Sequence, residues 1–487
     1  MNAKFRTALL TWCAVRQWVR LGAITTVVGW SGALSYAQDR TLPGTAGDRS
    51  IVSSGTPQVA AGGFVPAHDA QEEIDGINHG DDPEFDLLNQ TPAIAEVEVA
   101  DVDARRAVLR DYFTARRARL NIVATTVTDS GQVIDWIPRD SQVPSGRVAS
   151  PPKSQGTQVT DTGDESGTFE LAVQPHARGP AGTVPVLRRD VDEVLNNISP
   201  SGGIQDFLSK YGTANHRGGP EGVVEAQFED PGSPAHEYAH TAQFVENFGG
   251  EGNINLWNPY VWKDGEFSLG QVAVSRSSGG SALQTVETGW QDYKNLYGDY
   301  SPHFFIYYTT NGYASQGDNV GGYNRDVDGW VQYSSTVFPG AKFTQTSVLN
   351  GSQYSQLFHV ELYQGNWWIM LGTNWVGYYP ASLFATSGLR SKANRISWYG
   401  EIVDLDDGTN TSTDMGSGQF ANQGFQKAAY MRNIWYYKLS DGKRYQYNPG
   451  TTGTTPGCYT LDTHFISGTT WESYFYFGGP GKSSTCP

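Results

Sequence analysis

Two glutamates, Glu287 and Glu401, lie in segments whose other residues are typical of buried β-strands, "TVETGW" and "WYGEIVD". A carboxyl group buried among aromatic rings has a raised pKa, and two carboxylates that share a site do not easily both ionise. One member of such a pair stays protonated as an acid and the other stays charged as a base. The two residues are therefore candidates for activating a water molecule and protonating a leaving group. The alternative is that each glutamate is exposed or salt-bridged.

Side-chain alternation in a strand predicts the neighbours of each acid. Glu287 is expected to share a face with Thr285 and Gly289, and Glu401 with Tyr399 and Val403. Because glycine has no side chain, the glycines beside the acids are expected to leave open space into which a ligand backbone can approach.

Other candidate sites are weaker. His236 and His240 in "HEYAH" have a spacing that could bind a metal on a helix, but the order is not that of a zinc protease and strand-like sequence follows, so a surface or packing role is expected. The "DLDDG" run at 404–408 lacks the spaced oxygens of a calcium loop. No GxSxG elbow and no convincing Cys/His pair occurs, which leaves little support for a serine or cysteine nucleophile.

Composition narrows the class of protein. The chain has 17% charged and 13% aromatic residues and 57 glycines, which favours an extracellular all-β protein. The formal charge of -16 makes a nucleic acid an unsuitable partner, because binding phosphates requires a basic surface.

The N-terminus resembles a secretion signal. A basic start is followed by the uncharged stretch "LGAITTVVGWSGALSYA", and small residues at Ser35 and Ala37 predict cleavage after Ala37. The alternative is a membrane anchor, although the apolar run is short for a span. Residues 38–95 read as a low-complexity linker, rich in Gly, Pro, Asp and Ser. The mature protein is expected to be secreted, with no membrane contact.

The remaining chain divides into three predicted parts. Residues 96–215 contain a helical segment, a hairpin with "DSG" at its turn, and "GTVPVLRRDVDEVLNN", a strand leading into a helix. Residues 223–440 alternate short apolar-aromatic runs with turn residues, which predicts an antiparallel β-sandwich or barrel with "PASLFATS" as its one short helix. Residues 441–487 are expected to form a β-rich extension in which Cys458 and Cys486 make a disulfide.

Nine stretches of the C-terminal half, in the same order, resemble the neprosin family of glutamic prolyl endopeptidases. They are "HEYA" (236–239), "SLGQVAV" (268–274), "TVETGW" (285–290), "NLYGD" (295–299), "FIYYTTNGY" (305–313), "GNWW" (365–368), "VGYYPASLF" (376–384), "WYGEIVD" (398–404) and "MGSGQFANQGFQKAAYMRNI" (415–434). Two N-terminal stretches, "TDSGQVIDWIPRDSQ" and "GTVPVLR", resemble the family's activation peptide.

This resemblance implies a fold and an activity. The fold is a sandwich of two antiparallel sheets, and the catalytic "ExGW" and "GE" motifs fall on Glu287 and Glu401. The implied reaction is hydrolysis after proline at acidic pH by attack of a water, with one glutamate as base and the other as acid, and with no metal or organic cofactor. The substrate-binding candidates lie within the matching stretches: Gln271, Trp290, Tyr308, Trp368 and Tyr399.

The chain departs from the family pattern in three places. Gly322 and Asp328 stand about where plant members carry a cysteine pair, so that internal disulfide is absent. "GPAGT" replaces "CPEGT" in the activation peptide. The tail after about residue 440 is expected to lie outside the resemblance.

Three functions remain open at this point. The first is a secreted glutamic endopeptidase that is made as a zymogen, inhibited by its own pro-segment and processed in acid, with cleavage expected within 213–235. Its substrates would be proline-containing peptides or proteins. The second is a secreted glycoside hydrolase that uses the same carboxylates. The third is a non-catalytic carbohydrate-binding β-sandwich. The long pro-like segment favours the peptidase.

Overall fold

The computed structural model describes residues 102–153, 163–197, 207–208, 235–277, 282–405, 410–447, 451–454, 457–465, 467–484 and 486. The predicted signal peptide (1–37) and linker (38–95) lie outside the described residues. So do residues 213–234 of the predicted cleavage region and residues 406–408 of the "DLDDG" run.

The N-terminal subdomain, residues 102–197, is a small α+β unit. Its main helix has Asp103 in the first turn and Arg116 and Arg117 in the last turn, an arrangement that suits the helix dipole. Its strands β1, β2 and β4 form a three-stranded antiparallel sheet. The elements are α1 (Val102–Ala118), β1 (Ala124–Val127), β2 (Val133–Pro138), β3 (Glu165–Ser166), α2 (Glu170–Val173), β4 (Thr183–Leu187) and α3 (Val191–Asn197).

The rest of the described chain is almost entirely strands. One short helix, α4 (Lys294–Tyr297), interrupts them. The strands are β5 (Ala235–Asn255), β6 (Ser268–Arg276), β7 (Gln284–Asp292), β8 (Pro302–Thr309), β9 (Gly321–Tyr323), β10 (Val331–Gln332), β11 (Tyr354–Tyr363), β12 (Asn366–Leu371), β13 (Asn374–Pro380), β14 (Ala393–Asp404), β15 (Ala429–Lys438), β16 (Arg444–Gln446), β17 (Thr451–Thr454), β18 (Thr460–His464) and β19 (Tyr474–Gly478).

The long strand β5 belongs to two sheets. Its first part pairs with β14 and β17, and its second part pairs with β11 and β15. The change of partner coincides with Gly249, which has φ 130° and where an added Cβ would lie 2.0 Å from the carbonyl oxygen of Val360. Only glycine fits a backbone conformation and an approach of this kind. Gly249 therefore lets one strand pass from one layer to the other.

The two layers form an antiparallel β-sandwich, as the sequence predicts. Sheet A has the strand order β17, β5, β14, β6, β7, β8, β9. Sheet B has the order β10, β13, β12, β11, β5, β15, with β16 and the β18–β19 hairpin beside β15. Only β3 pairs in parallel among the described strands, along β11.

The core lies between the sheets and is filled by alternate residues of each strand. Trp290 and Trp398 come from sheet A, Phe358 and Ile369 come from sheet B, and all four are completely buried. The same cluster includes Phe169 and Leu171 of the N-terminal subdomain. The N-terminal subdomain and the sandwich therefore share one hydrophobic core.

The C-terminal segment is part of the sandwich rather than an appendage. β16 and β19 pair with β15, and β17 pairs with β5 in sheet A. Cys458 and Cys486 form the expected disulfide, with their Cα atoms 5.0 Å apart. The boundary that the sequence placed at 441 does not separate a structural unit, because these strands complete both sheets.

The helices of the described residues differ from those that the sequence predicts. "PASLFATS" contains only a short 3-10 helix, Ala381–Leu383. In its place, α4 is the α-helix of the described sandwich. No helix within the described residues is both long and apolar enough to span a bilayer.

Replacing both Cys458 and Cys486 with serine should lower the free energy of unfolding by about 2–4 kcal/mol, because the crosslink no longer restricts the unfolded chain. The two cysteines are 28 residues apart. Urea unfolding of both proteins measures the difference. Wild-type protein kept under reducing conditions is the control and should match the variant. Equal stability of oxidised wild type and variant would contradict this prediction.

Candidate active site

Three neighbouring strands of sheet A bring the predicted acids to one face. On this face, which we call the carboxylate face, Glu287 of β7 lies opposite Ala273 of β6. Gln271 of β6 lies opposite Tyr399 of β14, two residues before Glu401. Directly opposed residues of antiparallel strands share a face, and so do residues two apart in one strand. Glu287, Gln271, Tyr399 and Glu401 therefore project from the same side, away from the sandwich core.

Glu287 is completely buried and accepts hydrogen bonds from three side chains. Gln271 Nε2 donates to Oε2 at 2.9 Å. Thr285 Oγ1 and Tyr313 OH donate to Oε1 at 2.8 and 2.6 Å. An ionised carboxylate is an acceptor-only group, so this set of donors suits it. Burying a charge without such partners would be very costly.

Tyr313 reaches Glu287 from the loop after β8 through an unusual backbone conformation. Its φ is 64°, in the left-handed region that non-glycine residues rarely adopt. The hydroxyl of Thr309 accepts a hydrogen bond from the Tyr313 N–H at 3.0 Å and holds this turn. A strained aromatic residue that contacts a buried carboxylate is typical of a functional site.

Glu401 is also completely buried, but its environment differs from that of Glu287. His236 Nδ1 lies 2.8 Å from Glu401 Oε1. His236 comes from the start of β5, where it is opposite Val403 of β14. The sequence analysis assigned His236 to a surface or packing role, and the structure instead places it against the second predicted acid.

Gln271 and Tyr399 lie between the two acids. The Gln271 amide that donates to Glu287 also donates to the Tyr399 hydroxyl. Burial raises the pKa of Tyr399 well above its usual value, and the nearby charges of Glu287 and Glu401 act in the same direction. The phenol therefore keeps its proton and remains a hydrogen-bond donor across the pH range in which proteins work.

The strand register sets the spacing of the acids. Glu287 is in line with Ser397 through Ala273, and Glu401 lies four residues further along β14. With ordinary strand dimensions, the Cα atoms are offset by about 13 Å along the strands and about 10 Å across them. The backbone therefore does not set the acids side by side, as a pair sharing one proton would need. Gln271 and Tyr399 occupy the positions between them.

The other substrate-binding candidates lie elsewhere. Trp290 points into the core, where its Nε1 donates to the Asn255 carbonyl at 2.9 Å. Tyr308 also faces the core and donates to the Asp328 carbonyl at 2.6 Å. Trp290 is three residues from Glu287 along β7, and Tyr308 of β8 lies opposite Val286, so alternation turns both away from the carboxylate face. Trp368 is on β12 of sheet B. Of the five candidates, the structure brings Gln271 and Tyr399 to the acids.

The glycines beside the acids do not create open space. An added Cβ at Gly289 would lie 2.0 Å from the Gly270 carbonyl oxygen, and one at Gly400 would lie 2.4 Å from the Phe477 ring. These positions lack side chains because neighbouring parts of the chain pack against them. The expectation of a ligand backbone above the glycines is therefore wrong.

The possible metal site also has no structural basis. His236 and His240 lie on β5, where four residues span about 13 Å. His240 is buried, and burial together with the charge of Arg395 lowers its pKa to about 4. Across the described residues, no group of three or more His, Cys, Asp or Glu side chains is placed to hold a metal ion.

Two residues of the site were not predicted from the sequence: His236 as a partner of Glu401, and Tyr313 as a donor to Glu287. Alternation did predict Thr285 on the face of Glu287, and the structure adds its hydrogen bond to that acid. The contacts of Tyr313 and His236 depend on a loop conformation and on the pairing of β5 with β14, which local sequence does not specify.

His236→Ala and Glu401→Gln should be coupled in a double-mutant cycle, since a hydrogen bond to a charged group contributes about 1.5–3 kcal/mol. We expect His236→Ala to destabilise the wild type by that much more than it destabilises Glu401→Gln. Urea unfolding of the four proteins gives the coupling energy. A matched cycle of His236→Ala with Glu251→Gln, a buried glutamate fifteen residues further along β5, should give a value near zero. Additive effects in the first cycle would show that the contact contributes nothing.

Several solved structures match part of this chain at low similarity. Scytalido-glutamic peptidase with a transition state analog inhibitor has 10% identity and a TM-score of 0.25, with 51% of this chain and 100% of the other covered. SCP-B, a member of the Eqolisin family of peptidases, has 8% identity, the same coverage and a TM-score of 0.25. A glycoside hydrolase family 16 endo-glucanase from Bacteroides ovatus has 10% identity and a TM-score of 0.22, with 36% and 69% covered. Scores this low support no functional argument.

A family model gives the decisive match. The Neprosin model covers residues 264–480, which include β6, β7 and β14 with both predicted acids. The match begins after β5, although β5 is a full member of both sheets. It extends to residue 480 and so covers most of the segment that the sequence analysis placed outside the resemblance. Residues 264–480 of this chain are therefore similar to the Neprosin family.

Proposed function

We propose that this protein is a secreted glutamic endopeptidase that hydrolyses peptide bonds on the carboxyl side of proline. The observation that supports this most strongly is the pair Glu287 and Glu401, buried on one face of sheet A within the Neprosin domain. Each acid has its own hydrogen-bond partners, Gln271 for Glu287 and His236 for Glu401.

In the proposed reaction, a water molecule attacks the scissile carbonyl of a peptide that lies across the carboxylate face. One glutamate takes a proton from the water and the other donates a proton to the carbonyl oxygen or to the leaving nitrogen. The Tyr399 hydroxyl lies between the acids and can donate a hydrogen bond to the oxygen on which negative charge develops, while the Gln271 amide holds Tyr399 and Glu287 in place. The preference for proline rests on the family resemblance.

The zymogen proposal is supported by the ion pairs of the N-terminal subdomain. Arg116 and Arg119 of the α1 region pair with Asp318 and Asp328 of the sandwich, and three of these contacts measure 2.8–3.2 Å. The fourth, Arg116 with Asp318, is closer still. The binding of the N-terminal subdomain to the sandwich should therefore depend on pH, because these ion pairs are lost when the aspartates are protonated.

Two further pairs tie the N-terminal subdomain to the sandwich. Arg189 donates two hydrogen bonds to the Asp326 carboxylate, from Nε to Oδ1 at 2.8 Å and from Nη2 to Oδ2 at 2.6 Å. Asp164, next to β3, binds Arg432 in sheet B at 2.8 Å, with side chains that are only 1% and 4% exposed. Protonation of a carboxylate removes one charge of such a pair and leaves the buried arginine unpaired, which is strongly unfavourable.

Acid should therefore release the N-terminal subdomain. Burial alone would raise the pKa of Asp318, but Arg116, the Asp328 N–H and Arg119 outweigh it and hold the pKa below its usual range. A depressed pKa means that Asp318 contributes its full stabilisation above the ordinary aspartate value of about 3.9. That stabilisation is lost as the pH falls further, through the depressed pKa.

Secretion is supported by the Cys458–Cys486 disulfide, since such bonds persist in oxidising compartments. The signal-like N-terminus points the same way. Detection of the mature protein outside its host cell, with residue 38 as the first residue, would test both the location and the cleavage site.

Glu287→Gln and Glu401→Gln should each reduce turnover of an internal-proline peptide by about 10²–10⁴-fold, because each removes one proton-transfer group. Acid-treated wild type and variants are incubated with a quenched peptide, and mass spectrometry locates the cut. Glu266→Gln changes another completely buried glutamate, one that accepts hydrogen bonds from Thr411 and Thr413, and should retain activity.

The same experiment separates the alternative functions. Cuts after residues other than proline would overturn the proline preference alone. Intact peptides together with turnover of a polysaccharide that disappears in Glu287→Gln would instead establish the glycoside hydrolase. No turnover of either substrate would favour the binding module.

Asp318→Asn should raise the pH of half-release of α1 by about one unit, because the uncharged amide imitates the protonated acid. Release is measured as amide hydrogen exchange of residues 102–118 at each pH, after correction for the pH dependence of the intrinsic exchange rate. All proteins carry Glu287→Gln, so that self-cleavage does not interfere. Asp264→Asn is the matched control, since Asp264 pairs with Lys294 within the sandwich. Identical release curves for Asp318→Asn and its parent would argue against this anchor.

A further inference from the structure

The outer face of sheet B carries a cluster of aromatic side chains, whereas the acids project from sheet A. Trp368 of β12 is its centre, and Tyr378 and Trp375 of β13 lie 4.6 and 5.9 Å away by ring centroids. The Tyr333 ring centroid lies 5.7 Å from that of Trp368. Tyr363 is partly buried and packs against the same cluster. We call these five residues the aromatic platform. Strand alternation explains it, because Trp367 and Ile369 on either side of Trp368 face the core.

A proline-rich segment of the N-terminal subdomain covers the aromatic platform. Residues 143–152 read "VPSGRVASPP". Val148 is 7% exposed and packs in one cluster with Trp368 and Tyr378, and Val143 and Ala149 pack against that cluster. Residues 147–152 have no helix, strand or turn assignment.

Polar contacts fix the position of this segment. The Ala149 N–H donates to the Tyr378 hydroxyl at 3.2 Å. The Arg139 guanidinium, just before the segment, lies 4.8 Å from the Tyr333 ring centroid. The segment thus contacts the rings through Val143, Val148 and Ala149 and through one backbone hydrogen bond, and Pro144, Pro151 and Pro152 flank these contacts in the sequence. Aromatic-lined surfaces of this kind are used by proteins that recognise proline-rich segments.

Trp368 supplies a second, independent observation. Its side chain is completely buried, yet among the described residues its Nε1–H has no hydrogen-bond partner. Buried tryptophan N–H groups usually have an acceptor, and leaving one without an acceptor costs free energy. The covering segment packs Val148 against this cluster but gives the indole no acceptor. A different peptide in the same place could supply a backbone carbonyl.

We propose that the aromatic platform is a binding site for proline-rich, extended segments of the substrate, remote from the acids and occupied by residues 143–152 until the N-terminal subdomain is released. This inference rests on the proposed peptidase function and names its preferred substrates, which are proteins whose proline-rich stretch is separated from the cleaved bond by enough chain to reach sheet B. Trp368, a predicted substrate contact, then acts at this site and not beside Glu287.

The ring geometry favours proline over sugar. Tyr333 and Trp375 stand at 77° and 78° to Trp368. Rings that meet edge to face form notches of the kind that hold pyrrolidine rings. Stacking of a sugar needs an open ring face instead.

The first test compares two quenched peptides with the same cleavable proline bond. One is short, and the other continues through a Gly/Ser spacer into a proline-rich stretch. Acid-activated wild type should cleave the long peptide with at least 10-fold higher kcat/KM. Trp368→Phe and Tyr378→Phe should each reduce this long-to-short ratio at least 3-fold. Tyr260→Phe, which alters an exposed tyrosine outside the platform, is the matched control and should keep the ratio.

The outcomes separate the two proposals. A ratio near one in wild type, or an unchanged ratio in both platform variants, overturns the aromatic platform and leaves the peptidase intact. If neither peptide is cut, the peptidase proposal fails.

Binding then tests the platform without catalysis. The proline-rich peptide is titrated into full-length Glu287→Gln protein that also carries Val148→Asp, which weakens the covering segment. The NMR signal of the Trp368 indole N–H, identified by its loss in Trp368→Phe, should shift until it saturates. The peptide should bind at least 10-fold more weakly to the Glu287→Gln protein that retains Val148. No shift overturns the inference, and so does an equal response to a glucan oligosaccharide.

Discussion

The fixed register of β14, β6 and β7 is the constraint on which the rest of the site depends. A one-residue slip in either pairing would turn Glu287 or Glu401 into the sandwich core, because side chains alternate along each strand. The register is held on the other face by large core residues, among them Trp290 and Trp398. The alternate residues of these strands thus perform different tasks, since one set packs the core and the other carries the acids.

Two buried carboxylates on one face need polar partners, and the fold supplies them from distant parts of the chain. Gln271 and Thr285 come from the same strands as the acids or their neighbours, Tyr313 comes from a strained loop, and His236 comes from β5. A site with these partners differs from a pair of acids that share one proton. It holds two separate acids along the path of an extended chain, with an amide and a phenol between them.

The sequence predicted the sandwich because short apolar-aromatic runs with turn residues between them have the period of strands. Family motifs selected Glu287 and Glu401, and alternation correctly placed Tyr399 beside Glu401. Sequence could not predict the partners that depend on which strands pair, such as His236, or on a left-handed backbone, such as Tyr313. It also assigned Trp290 and Tyr308 to substrate, because matching motifs contain core residues as well as site residues. The C-terminal strands were set apart because their pairing with β5 and β15 is long-range.

The central claim is that a peptide lies between Glu287 and Glu401, and a crystal structure of the Glu287→Gln protein with a bound internal-proline peptide tests it most directly. The account predicts the scissile carbonyl on the carboxylate face. Its oxygen should lie within hydrogen-bond distance, about 2.6–3.2 Å, of the Tyr399 hydroxyl, with one acid on each side of the bond. A peptide bound on another surface, or one whose proline bond lies beyond the reach of both acids, would contradict the account.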